Sequence, residues 1–118
     1  MRLLWLLGAC GALLAWLRPK VFRVAGASMS PSLREGTLVL TLRPFSVLVR
    51  DGSVVTLPDP REPSRLLIKR VAARLDDLLD LRGDNPDAST DSRAFGLQRI
   101  TALAGVLVLP RLNTDLSR

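Results

Sequence analysis

At 118 residues the chain has room for one domain with one core. It contains no histidine, which excludes a Ser-His-Asp triad and a Cys-His dyad, and its single cysteine, Cys10, excludes an intrachain disulfide and a thiol metal site. A formal charge of +6 invites a nucleic-acid partner, but the arginines are spread along the chain and the two Trp and three Phe offer no stacking platform; the charge suits anionic lipid headgroups better.

The first element is an uninterrupted run of apolar and small residues from Leu3 to Leu17, flanked by Arg2 and by Arg18 and Lys20. Fifteen helical residues span roughly 22 Å against a hydrocarbon core of about 30 Å. Snorkelling arginines, with Trp5 and Trp16 near the two ends, are expected to make up the difference. Residues 1–20 therefore read as an uncleaved anchor of a single-pass membrane protein, with the lipid bilayer as partner. Two rivals fit less well. Leu7-Gly8-Ala9-Cys10 has the look of a lipoprotein box, but the apolar run before it is too short and continues past it. Ala25-Gly26-Ala27 has the A-x-A form of a leader cleavage site, yet follows Arg18, Lys20 and Arg23. Those same cations outnumber Arg2 and the terminal amine, so the positive-inside rule keeps the remaining chain on the cytoplasmic side.

Beyond the anchor the chain reads as short strands rich in Val, Ile and Leu. Val21 to Val24 comes first, followed by the turn Gly26-Ala27-Ser28-Met29-Ser30-Pro31, which presents a serine. Thr37 to Leu42 and Ser53 to Leu57 follow, with Pro44, Pro58, Pro60 and Pro63 marking loops.

Leu66 to Val71 carries Lys69, and the period of two puts Leu67, Lys69 and Val71 on one face with Ile68 and Arg70 on the other. Of the 17 basic residues only Lys20 and Lys69 are lysines. A chain that writes arginine almost everywhere has kept an amine here, and an amine can lose its proton where a guanidinium cannot. An ordinary lysine has only about one neutral amine in 2,500 at pH 7; apolar burial that lowers its pKa by roughly two to three units makes a useful base. Read alone, Lys69 better suits a surface lysine whose stem covers apolar neighbours.

Leu78 to Leu81 is the next strand, although Val71 to Leu81 also fits one helical stretch. The loop from Arg82 to Gly96 is dense in hydroxyls and carboxylates. A calcium loop is excluded by Pro86, which falls where a ligand is needed, and by the misplaced Gly and terminal Glu. Instead, Ser89 or Ser92 could accept the protons of a lysine amine, and Asp91 with Arg93 could stiffen the loop as an ion pair. Ile100 to Leu109 is the last strand, and 111–118 reads as a frayed tail. The expected fold is mainly β: a small mixed β-barrel catalytic domain over 21–110, preceded by one N-terminal membrane helix.

Three segments in this order, the serine box Gly26-Ala27-Ser28-Met29, the lysine box Lys69-Arg70-Val71 and the run Gly83-Asp84-Asn85 through Ser89 to Asp91-Ser92-Arg93, resemble the type I signal peptidases. These are membrane-bound Ser/Lys endopeptidases that remove leader peptides. The resemblance covers nearly the whole chain, to about Val108. It implies Ser28 as nucleophile, Lys69 as general base, Ser89 bonded to the lysine amine, and Asp91 with Arg93 supporting the loop. It further implies an oxyanion hole of backbone donors at Ser28 and Gly26, Met29 at a membrane-facing rim, and no metal or organic cofactor. Precursor proteins would bind as extended peptides with small side chains at the first and third positions before the cut. The self-cleaving repressors of the SOS response share a serine and a lysine at similar separation but lack the Gly-Asp-Asn to Asp-Ser-Arg loop.

Two departures stand out. Gly26 stands where some members carry a hydroxyl that helps hold the oxyanion, so a main-chain donor must serve; one such donor is worth on the order of a hundredfold in rate. Gly83 follows Lys69 by only 14 positions, where larger members insert an accessory domain. The compactness and the wording Gly83-Asp84-Asn85-Pro86 lean toward the small bacterial branch that matures the nickel-type superoxide dismutase precursor, rather than the mitochondrial inner-membrane branch. A cytoplasmic domain suits that substrate, whereas export peptidases face outward. The alternative within the family is a catalytically inactive or partner-dependent binding subunit.

Overall fold

The computed structural model describes residues 2–88, 90 and 92–110. Helix α1 (Arg2–Leu17) precedes strands β1 (Lys20–Arg23), β2 (Leu38–Leu42), β3 (Val54–Asp59), β4 (Glu62–Leu75) and β5 (Leu78–Arg82). The short helix α2 (Ser92–Phe95) and strands β6 (Gln98–Arg99) and β7 (Gly105–Leu109) complete the order. The seven strands form one sheet in the order β1-β2-β7-β3-β4-β5-β6. Where β7 inserts between β2 and β3, Gly105 lies close against β2. A Cβ there would stand 3.1 Å from Cβ and Oγ1 of Thr41 and 3.2 Å from the Leu42 carbonyl oxygen, a tight fit that any larger residue would relieve only by shifting these neighbours a few tenths of an ångström.

Alternation divides the apolar residues of β3 between two cores. Val55 and Leu57 join Val49, Val71, Leu79, Leu81, Leu103 and Val106, whereas Val54 joins Val24, Met29, Leu33 and Val39. Burying one such side chain contributes about 1.5–3 kcal/mol. The expected face of β4 is observed: Leu67 and Val71 belong to the first core and Ile68 packs on the second.

The mainly β expectation and the N-terminal helix fit, but the closed mixed barrel and the membrane span do not. Every ladder is antiparallel, and among the described residues none joins β1 to β6, so the sheet is not a closed mixed barrel. Edge strand β6 is only two residues long because the chain turns at once into a 3-10 turn, Ile100–Ala102, where a continuous strand was expected.

The expected membrane helix is also corrected: among the described residues no helix is long and apolar enough to cross a membrane. Helix α1 has 16 residues, about 24 Å, and stops where Arg18 turns to a φ of 50° ahead of Pro19, which disfavours helix in the residue before it. No α1 residue is buried. The helix meets the sheet at its C-terminal end, where Trp16 packs against Phe45 at 4.8 Å and Arg43 lies over the Trp16 ring.

Two prolines expected in loops lie in strands instead. Pro58 is the penultimate residue of β3, opposite Leu66, and Pro63 lies near the start of β4, so the β3–β4 hairpin turns tightly at Pro60-Arg61. The helical alternative for Val71 to Leu81 is likewise excluded: β4 and β5 form a hairpin turning at Asp76-Asp77, with Asp76 at a φ of 56°. The tail 111–118 lies outside the described residues.

Candidate active site

After β1, Val24 exchanges backbone hydrogen bonds with Gly36 and Thr37, and the chain then leaves the sheet at Gly26, whose φ of 82° favours glycine. The turn closes through Ser30 N–H to the Ala27 carbonyl at 3.1 Å and Leu33 N–H to the Met29 carbonyl at 2.8 Å. This geometry aims Met29 into the core at 0% exposure, so the rim position that the resemblance implied for it is wrong. Ser28 remains half-buried beside a cleft of about 440 Å³.

The cleft has two walls, Phe22 to Ser28 and Leu66 to Lys69. Lys69 lies on the second wall, registered opposite Val55, and is 2% exposed, the largest of the fully buried side chains. Ser28 and Lys69, 41 residues apart in the chain, thus line one cavity, with Gly26 and Thr90 beside them. None of the turn and loop hydrogen bonds of the described residues uses the N–H of Ser28.

The cleft also borders one edge of β4. β4 pairs with β3 along Leu66 to Arg70, but its ladder with β5 begins only at Arg70–Arg82. Among the described residues Leu66 to Ile68 therefore carry no ladder on their second edge, which is the arrangement an extended peptide can join as an added strand. At the far end, buried Asp59 accepts the Arg61 backbone N–H at 2.9 Å, and Arg65 is exposed.

The Gly-Asp-Asn segment grips both boxes. Asn85 donates its N–H to the Ser28 carbonyl at 2.8 Å and its side-chain amide to the Ala27 carbonyl at 3.1 Å. Asp84 receives Arg70 as a fork, Nε to Oδ1 and Nη2 to Oδ2, both at 2.8 Å, while Arg70 Nη1 donates to the Gly52 carbonyl at 2.9 Å. Burial alone would raise the Asp84 carboxyl, but hydrogen bonds from Arg70 and Ser32, with the charge of Arg70, outweigh it and hold the carboxyl below its ordinary value. Sequence reasoning gave Arg70, Asp84, Asn85 and Ser32 no roles. The available signal was the acid-amide pair Asp84-Asn85 inside a turn, but its partners lie far away in the chain.

The other expected residues divide. Ser89 and Asp91 lie outside the described residues. Arg93 is exposed on α2 and does not line the cleft. Ser92, offered as a partner for the lysine amine, is 8% exposed and accepts the Leu81 N–H at 2.8 Å, anchoring α2 to β5. Among the described residues no three His, Cys, Asp or Glu side chains gather in a group that could hold a metal ion.

No protein-family model and no curated protein matches this chain.

Proposed function

We propose that the protein is a serine endopeptidase that removes leader or pro-peptides from precursor proteins, with Ser28 as nucleophile and Lys69 as general base. The observation that carries this reading is a fully buried lysine in the same cleft as a turn serine, in a chain without histidine. A precursor segment lies extended between the two walls and pairs with the edge of Leu66 to Ile68.

In the proposed reaction neutral Lys69 takes the Ser28 hydroxyl proton as Oγ attacks the scissile carbonyl carbon. The Ser28 N–H donates to the developing oxyanion. The protonated amine then gives its proton to the leaving nitrogen, the C–N bond breaks, and an ester remains on Ser28. Water, deprotonated by the same lysine, attacks the ester and releases the acid and free Ser28. Two fixed points support the geometry: Asn85 on the serine turn and Asp84 on Arg70, the neighbour of the base.

The test is incubation of the full chain with a secretory preprotein and with a nickel superoxide dismutase precursor, reading products by mass. Cleavage of either substrate, lost in Ser28→Ala and in Lys69→Ala, is the expected result. Peptide binding without cleavage would favour the inactive-subunit alternative, and cleavage unchanged in both variants would refute the dyad.

A further inference from the structure

Away from the Ser28 cleft, three basic side chains converge with no acid among them. Arg18 follows α1, Lys20 opens β1 and Arg43 follows β2; the pairing of Lys20 with Thr41 brings these points to one end of the sheet. They line a second cleft of about 500 Å³, whose opposite wall is the Ile100–Ala102 turn with Leu103 and Ala104. Among the described residues none of the three forms an ion pair. Arg18 holds its place at a φ of 50°, a conformation that side chains of its size rarely adopt.

The carbonyl end of α1 answers part of this charge, but only about half of one elementary charge. The Leu17 carbonyl is moreover already taken by the Arg43 N–H at 2.7 Å. We propose that this second cleft binds a phosphate oxyanion, either as free phosphate or as the headgroup of an anionic phospholipid. Two guanidinium groups match phosphate oxygens in forked pairs, and the Thr101 hydroxyl adds a neutral donor. The volume leaves room for the group that the phosphate carries. This proposal is independent of the Ser/Lys reading.

The full chain is titrated with inorganic phosphate by calorimetry and floated with phosphatidylcholine vesicles, with and without phosphatidylglycerol. Arg18→Gln with Lys20→Gln changes two exposed side chains and is expected to weaken binding about tenfold or more. Arg43→Gln is expected to do the same, and the first variant stands independently of any loosening of Trp16 in the second. Arg34→Gln with Arg50→Gln removes equal charge from exposed positions elsewhere and is expected to stay within about twofold. A specific loss seen only with phosphatidylglycerol vesicles identifies the lipid source, and one seen with phosphate alone identifies the free ion; either supports the site. Absence of binding in the unmodified chain, or equal loss in the surface control, overturns it.

Discussion

Asn85 holds the peptide group on both sides of Ser28: its N–H bonds the Ser28 carbonyl at 2.8 Å and its side-chain amide the Ala27 carbonyl at 3.1 Å. The first bond survives any substitution except proline, and the second is specific to an amide. Asn85→Ala is therefore expected to lower kcat about tenfold while leaving KM within about threefold, because a loosened serine misses the attack geometry more than it loses substrate. The lost bond, worth about 1 kcal/mol, should lower Tm by only a few degrees. Steady-state kinetics with a thermal melt checks both.

The Arg70–Asp84 fork is the structural counterpart on the lysine side. Its side chains are only 9% and 17% exposed, so removing one partner strands the other. Asp84→Asn is expected to cost about 3 kcal/mol in urea unfolding, and the pair Arg70→Met with Asp84→Leu to recover part of that loss.

The same carboxyl sets an acid limit. Its pKa is depressed in the folded chain, so its contribution is fully present above the unfolded value near 4 and is lost as pH falls through the folded value. Arg70 stays charged throughout. The stability gap between the unmodified chain and Asp84→Asn is thus expected to stay constant above about pH 5 and to narrow below about pH 4, read from urea midpoints across that range.

Lys69 separates chemistry from packing. Lys69→Met keeps the volume of this buried side chain without its amine, so the fold is expected to persist with equal or greater stability while turnover drops by about a thousandfold or more. Lys69→Arg is expected to be equally inactive, since a guanidinium does not give up its proton near neutral pH. Circular dichroism and turnover on the same samples distinguish the two effects.

What could be read from the chain was local. The period of two around Lys69 placed Leu67 and Val71 correctly beside it, because side-chain alternation in a strand needs no knowledge of partners. The grip of Asp84 on Arg70 was not legible, because it joins residues 14 apart across a hairpin, and the acid-amide pair Asp84-Asn85 marks a turn without naming its partner. Pro58 and Pro63 misled in the other direction. A proline interrupts a strand only where its missing N–H was needed, and the hairpin accommodates both. The apolar N-terminal run was visible as a helix, but its end was set by the turn at Arg18 and Pro19 rather than by a membrane thickness.

The central claim, that Lys69 activates Ser28, is tested most directly by trapping the ester. The full chain is mixed at neutral pH with a thioester analogue of a precursor peptide, and the protein mass is read within one turnover, followed by fragment mapping. An acyl group on Ser28, sharply reduced in Lys69→Met, is expected if Lys69 is the base. An acyl group on Thr90, which lines the same cleft, or undiminished acylation without the lysine, would contradict it.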